Sequence, residues 1–69
     1  MNTTEFPKQL RKLREQRGVS CRLLSQLCGL SKNSIIRYEN GERIPSLADA
    51  AVLADFFGVS LDHLYGREK

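Results

Sequence analysis

The chain has 69 residues, a net charge of +3 and two cysteines, Cys21 and Cys28. A chain of this length has room for one hydrophobic core. The cysteines are placed roughly 10 Å apart along one predicted helix, too far for a disulfide, so disulfide and metal frameworks are excluded. Free thiols and the absence of a signal peptide lead us to expect a cytoplasmic protein, and the longest apolar run is too short to span a membrane.

The charges are distributed unevenly along the chain. Residues 1–45 contain nine Lys or Arg and four Glu, a net charge of +5, whereas residues 46–69 have a net charge of −2. The first part is therefore suited to a polyanion such as nucleic acid, and the second is not. An ordinary solvated helix face would give a similar asymmetry, so charge alone leaves the question open.

Glycines and candidate N-cap residues divide the chain into five predicted helices. Each of the five glycines follows a segment with helical periodicity, where a left-handed residue commonly ends a helix. No segment alternates like a strand. The sequence predicts an all-α fold, a compact five-helix single domain over residues 1–69, with helices at about 5–17, 21–28, 32–40, 47–57 and 61–65. The candidate N-caps are Thr4, Ser20, Ser31, Ser46 and Ser60.

Apolar residues at helical spacing predict one core to which all five helices contribute. The predicted core residues are Phe6, Leu10, Leu13, Val19, Leu24, Leu27, Cys28, Leu30, Ile35, Tyr38, Leu47, Ala50, Leu53, Ala54, Phe57, Leu61 and Leu64.

The predicted third helix has an outer face that the core does not need, formed by Lys32, Asn33, Ile36 and Arg37. Asn suits the hydrogen-bonding edge of adenine, and Lys or Arg suits that of guanine. An apolar side chain such as Ile36 suits a thymine methyl group. Two alternatives stay open: Ile36 packs on a neighbouring helix or is an isolated surface aliphatic, and the polar residues form a plain solvated face.

A set of short motifs covers almost the whole chain in a fixed order. Residues 20–41 read SCRLLSQLCGLSKNSIIRYENG, two short predicted helices joined by a glycine turn. The other motif residues are Leu10, Leu13 and Arg14, then Leu24, Gly29-Leu30-Ser31, Ile35, Arg37, Glu39-Asn40-Gly41, Pro45-Ser46-Leu47 and Phe57-Gly58-Val59-Ser60-Leu61-Asp62. This ordered set resembles the helix-turn-helix domain of the phage-repressor and Cro-like family, also called XRE-type regulators.

The resemblance implies roles for residues around the third helix. The positions that match the family's base-reading residues are Lys32, Asn33 and Arg37, with Ile36 beside them. Those that match its phosphate contacts are Ser34, Asn40 and Arg43.

The resemblance also implies a buried ion pair between Arg14 and Glu39, which ties the first helix to the end of the third. Either charge would be costly to bury alone and is tolerable when paired.

Two residues depart from the family's pattern at the second helix. Cys21 stands where the family commonly has a Gln that contacts phosphate, so that contact falls to Cys21 itself, to Arg22 or to backbone N–H groups. As a thiol at a helix N-terminus, Cys21 would have a lowered pKa and act as a redox sensor, or it is simply a small tolerated residue. Ser25 replaces the usual Ala and is expected to return its hydroxyl to the helix backbone.

The C-terminal part has apolar residues beyond those that form the predicted core face of its helices. They are Ala51, Val52, Phe56 and Tyr65. Either the core wraps around the fourth helix, or these residues form a homodimer contact. A dimer would place two reading helices about 34 Å apart on DNA.

The sequence therefore predicts a sequence-specific, double-stranded DNA-binding transcription regulator, a repressor that reads a near-palindromic operator through the third helix in the major groove. One alternative is an antitoxin-type or adaptor module whose apolar C-terminal surface binds a partner protein. Another, a protein-interaction module that no longer reads DNA, is disfavoured by the basic third helix. No enzyme, metal or cofactor is expected, because the sequence around the single histidine, His63, has no motif of metal ligands or acid–base residues, and the three Asp residues do not have the spacing of a metal loop.

Overall fold

Five α-helices account for the regular structure of this computed structural model, which describes residues 5–67, and these residues contain no strand. The predicted all-α, five-helix fold is confirmed. In chain order the helices are α1 (Glu5–Arg17), α2 (Cys21–Leu27), α3 (Ser34–Glu39), α4 (Leu47–Phe57) and α5 (Leu61–Leu64).

Serine N-caps begin three of the helices, as the sequence predicts. The hydroxyls of Ser20, Ser46 and Ser60 accept hydrogen bonds of 3.0, 3.1 and 3.0 Å from the backbone N–H groups three residues later. Each bond satisfies one of the N–H groups that a helix start leaves without a partner. Of the two other candidates, Thr4 lies outside the described residues.

The start of α3 differs from the prediction. The sequence predicts a helix from residue 32 with Ser31 as its cap, whereas α3 begins at Ser34 with Asn33 in the N-cap position. A turn precedes it, in which the N–H of Ser34 donates to the carbonyl of Ser31 at 3.0 Å. The Ser31 hydroxyl pairs with the Ser34 hydroxyl at 2.6 Å and caps no helix N–H. Lys32 and Asn33 therefore lie in the turn that leads into α3.

The core is built from all five helices, and two predicted members are absent from it. The side chain of Leu27 is 56% exposed and that of Leu47 is 74% exposed. Leu27 lies to one side of the buried stripe of α2, which contains Leu24 and Ser25. Leu47 is the first residue of α4, where a side chain points back past the helix end. The buried hydrophobic residues are Phe6, Leu10, Leu24, Ile35, Tyr38, Ala50, Leu53, Ala54, Phe57 and Leu64.

Aromatic contacts connect Phe6 of α1 both to α3 and to Tyr65, which follows α5. The ring of Phe6 meets Tyr38 of α3 edge-on, with centroids 6.0 Å apart, and stacks on Tyr65 at 5.1 Å. Such pairs add to the free energy of burial. Because α1 also packs along α3, the helix pair α2–α3 is held in a fixed position on the rest of the fold.

Candidate nucleic-acid interface

The turn between α2 and α3 is fixed by a small number of backbone and side-chain bonds. Gly29 adopts the left-handed conformation with φ of +70°, which residues with a Cβ rarely adopt. The next residue, Leu30, donates its N–H to the carbonyl of Ser25 at 2.8 Å. Ser25 is fully buried, and its hydroxyl donates to the carbonyl of Cys21 at 3.0 Å, as expected from the sequence. These bonds set the direction in which the chain enters α3.

A surface depression of about 240 Å³ lies where α2 meets the start of α3. The side chain of Ile36 is 48% exposed on this surface. Within residues 5–67, neither Lys32 nor Asn33 uses its side chain in an internal hydrogen bond or ion pair, and Asn33 does not cap α3. The structure thus brings together five predicted DNA-contacting residues, which line the depression: Cys21, Arg22, Lys32, Asn33 and Ile36.

The remaining predicted contacts are distributed along and beyond α3. Arg37 is exposed in the last turn of α3. Asn40 and Arg43 are exposed after its end and line a second cleft, of about 360 Å³, between α1 and the loop before α4. Ser34 is different, because it is buried and its hydroxyl is bonded to Ser31. This position does not favour the predicted contact between the Ser34 side chain and a phosphate.

The end of α3 is anchored by the charged group expected from the resemblance. Arg14 makes two hydrogen bonds to the Glu39 carboxylate: its Nε donates to Oε2 at 2.6 Å, and its Nη2 donates to Oε1 at 3.2 Å. The Glu39 side chain is 3% exposed and that of Arg14 is 15% exposed. The hydrogen bond to Glu39 raises the pKa of Arg14, so the guanidinium stays charged.

Two further contacts on α3 were missed at the sequence level. Arg11, one turn before Arg14 on α1, also approaches Glu39 at 3.5 Å. The hydroxyl of buried Tyr38 donates to a carboxylate oxygen of Asp49 on α4 at 3.1 Å. The spacing of Arg11 and Arg14 is a signal that the sequence contains, because residues three apart share a helix face. No local pattern links Tyr38 to Asp49, which become neighbours only when α4 packs.

The thiol of Cys21 is not activated. Partial burial raises the pKa of the Cys21 thiol, and the negative charge of Glu39 raises it further. A lowered pKa, as a redox sensor would need, is therefore wrong for this site. The main physical reason is the burial of the Cys21 thiol, to which the nearby Glu39 carboxylate adds, against the opposing effect of Arg14.

The predicted dimer residues have different surroundings. Arg17 covers Phe56: its guanidinium carbon lies 5.0 Å from the centre of the Phe56 ring. The Arg17 guanidinium also donates a hydrogen bond to the Phe56 carbonyl at 3.3 Å. Tyr65 is half-buried against Phe6. Of the four residues, only Val52, which is 40% exposed, presents a large apolar surface, and Ala51 beside it is half-buried.

The family of the chain follows from its sequence matches. A family model described as "Helix-turn-helix" matches residues 10–64, most of the chain. The chain belongs to the XRE-type helix-turn-helix family. None of its helices between residues 5 and 67 is long and apolar enough to cross a bilayer, and the same residues contain no cluster of three potential metal ligands.

Similar proteins are found in bacteria and archaea. The chain is 41% identical over 61 residues to the "HTH-type transcriptional regulator AnsR" of Bacillus subtilis, a match that covers 88% of this chain and 53% of the relative. It is 44% identical over 52 residues to the "Putative HTH-type transcriptional regulatory protein TK0539" of Thermococcus kodakarensis, covering 75% of this chain and 16% of that protein. The chain therefore spans about half or less of the length of these relatives. No solved structure is a significant match.

Proposed function

We propose that this chain is a sequence-specific DNA-binding transcription regulator that reads base edges with the exposed side of α3 and the turn before it. The observation that carries the proposal is the grouping of Lys32, Asn33 and Ile36 around one depression at the start of α3. The names of the relatives, which are transcriptional regulators, support the same class of function.

The chemistry of these side chains suits the major groove. The amide of Asn33 offers a donor and an acceptor and is not used for capping, so it is available to pair with adenine. Lys32 and Arg37 offer donors that suit guanine, and the exposed part of Ile36 suits a thymine methyl group. A short helix such as α3 fits the width of the groove.

Contacts to the DNA backbone are assigned to the exposed residues on either side of the base-reading group. Arg22 lies on α2 at the depression, and Asn40 and Arg43 follow the other end of α3. The net charge of +5 on residues 1–45 favours association with phosphate groups. Such contacts position the protein on DNA without selecting a sequence.

The proposed regulator acts as a repressor and binds as a homodimer. A single module of this kind buries only about 600–1,000 Å² on DNA, so one copy alone would bind weakly. Two copies related by a two-fold axis would read a near-palindrome. Occupation of an operator excludes other proteins from the same DNA, and this requires no surface beyond those that bind DNA and the second copy.

Selection of binding sites from a random DNA pool tests the proposal. We expect the wild-type chain to enrich a near-palindrome with half-sites about one helical turn apart. A Lys32→Ala, Arg37→Ala double variant should lose this enrichment, whereas Arg67→Ala, which removes an exposed charge near the other end of the chain, should keep it. No enrichment by the wild type above bulk DNA at moderate salt would contradict specific reading. Co-purification of a second protein would favour the antitoxin or adaptor alternative.

A further inference from the structure

The cleft between α1 and the loop before α4 has a largely apolar lining. Its volume of about 360 Å³ falls within the range of small-molecule sites, which is about 300–1,000 Å³. We call this space the α1 cleft. Its apolar and aromatic lining residues are Phe6, Pro7, Ile44, Pro45 and Tyr65.

The apolar walls of the α1 cleft are held in place by the rest of the fold. Phe6 stacks on Tyr65 at 5.1 Å and meets the buried ring of Tyr38 edge-on at 6.0 Å. Pro7 and Pro45 each fix their own backbone φ angle, and Pro45 is buried. A cleft with such walls is formed before a ligand arrives, so binding costs little ordering of the protein.

The lining of the α1 cleft suits an occupant with a flat apolar body. The Ile44 side chain is 71% exposed at the cleft, and an apolar body there would remove part of this surface from water. The rings of Phe6 and Tyr65 line the same space, and aromatic pairs contribute free energy beyond the area that they bury. An aromatic body therefore fits the lining best.

The charges that line the α1 cleft favour an anion. Lys8 and Arg43 are both exposed there, and neither forms an ion pair within residues 5–67. The Glu39 carboxylate also lines the cleft, but Arg14 bonds both of its oxygens and Arg11 approaches it at 3.5 Å. The charge still open to a ligand is therefore positive, and a guanidinium binds a carboxylate well.

We propose that the α1 cleft binds a small aromatic carboxylate, and that an occupied cleft weakens DNA binding. The aromatic body covers the apolar lining, and the carboxylate pairs with Lys8 and Arg43. A phosphate group of DNA would satisfy the same cations but would leave Ile44 and the aromatic rings uncovered.

The effect on DNA binding follows from the shared use of Arg43. This residue is assigned to a phosphate contact in the proposed function, on which this part of the inference rests. A carboxylate paired with Arg43 removes one cation from the surface that faces phosphate. By thermodynamic linkage, DNA must weaken binding of the carboxylate by the same factor.

Titration of the purified chain with 2-naphthoate, without DNA, tests the site. Chemical shifts of the backbone amides in ¹H–¹⁵N spectra give both the location and the dissociation constant. We expect the largest shifts at the residues of the α1 cleft and a dissociation constant of about 1 mM or below. The neutral 2-naphthamide, which has the same body, and acetate, which has only the charge, should each bind about tenfold more weakly.

Two matched pairs of exposed residues test the assignment of the lining. Lys8→Ala should weaken 2-naphthoate binding about threefold, whereas Lys12→Ala, one turn further along α1 and outside the cleft, should not. Ile44→Ser should weaken binding by a similar factor. Leu47→Ser, at an equally exposed side chain outside the cleft, should bind like the wild type.

Several results would overturn the site. They are the absence of 2-naphthoate binding, the largest shifts at residues elsewhere, equal binding of 2-naphthamide, and equal weakening by the two members of either pair. Circular dichroism melts check that all four variants fold.

DNA binding separates this inference from the proposed function. On a selected site at constant ionic strength, saturating 2-naphthoate should weaken binding about fivefold or more, and 2-naphthamide should not. Unchanged DNA affinity with a filled cleft would overturn the effect on DNA. If 2-naphthoate fills the cleft but no DNA site is selected, the proposed function fails and the site stands. If a site is selected and 2-naphthoate does not bind, the inference fails and the proposed function stands.

Discussion

The two ends of α3 differ in what their side chains contact. At its start, Asn33 and Ile36 face an open depression. At its end, Tyr38 and Glu39 are held by Asp49 and Arg14 from two other helices. One short helix therefore has an anchored end and an exposed end. From this separation we expect stability and the proposed base reading to depend on different residues of the same helix, so that mutations can affect one without the other.

The largest expected effect lies at the anchored end. Glu39→Ala should lower the free energy of unfolding by roughly 3 kcal/mol, because it leaves the guanidinium of Arg14 without its partner in a mostly buried position. Urea denaturation measures the loss. Glu42→Ala, at an exposed carboxylate three residues later, is the control and should change stability by less than about 0.5 kcal/mol. Equal stability of the two variants would show that the ion pair does not anchor α3.

An exposed side chain of α3 should give the opposite result. Arg37→Ala is expected to leave the free energy of unfolding within about 0.5 kcal/mol of the wild type, because Arg37 lies on the surface. On a selected DNA site it should cost about 1–3 kcal/mol of binding and relax the preference at one base pair. Binding assays on the site and its single-base variants measure this. A loss of the same size on every sequence would assign Arg37 to phosphate contact.

Arg43, in the loop after α3, should behave as a phosphate contact. Arg43→Ala is expected to weaken binding to all sequences alike. It should also reduce the slope of log binding constant against log salt concentration by about one, because one phosphate contact is lost. Titrations at several salt concentrations determine the slope. A change in base preference, with the slope unaltered, would be inconsistent with this role.

A smaller effect is expected where α3 meets α4. Tyr38→Phe removes the hydroxyl that donates to Asp49 and should lower the free energy of unfolding by about 1 kcal/mol. Urea denaturation measures the loss. No change in stability would show that this hydrogen bond contributes nothing.

The smallest expected effect concerns Cys21. Because burial and Glu39 raise the pKa of its thiol, the folded protein holds less thiolate at mildly alkaline pH than the unfolded chain. Iodoacetamide should therefore modify Cys21 more slowly in the folded protein, as followed by mass spectrometry of its peptide. The stabilising contribution is present below the pKa of the unfolded thiol and is lost as the pH rises through the folded one. Modification as fast as in denaturant would refute the raised pKa.

The helices and their caps could be predicted because their signals are local. Ser20, Ser46 and Ser60 each form the predicted cap. The start of α3 could not be predicted in this way, since the Ser31 hydroxyl pairs with the Ser34 hydroxyl and does not cap a helix N–H.

The site was only partly accessible from the sequence. The residues around the depression are close in sequence and were found together, but the pairing of Arg14 with Glu39 came from the family resemblance. The contact between Tyr38 and Asp49, and the exposure of Leu47, depend on how α4 packs against the other helices. Helical periodicity alone cannot show which of two adjacent faces a neighbouring helix covers.

Repeating the binding-site selection with Asn33→Ala tests the central claim, that the exposed start of α3 reads bases, most directly. Because the Asn33 side chain makes no cap bond, the variant should fold like the wild type. We predict that it enriches a sequence that has lost its preference at one position of each half-site, with the rest unchanged. Enrichment of the unaltered wild-type sequence would contradict the claim.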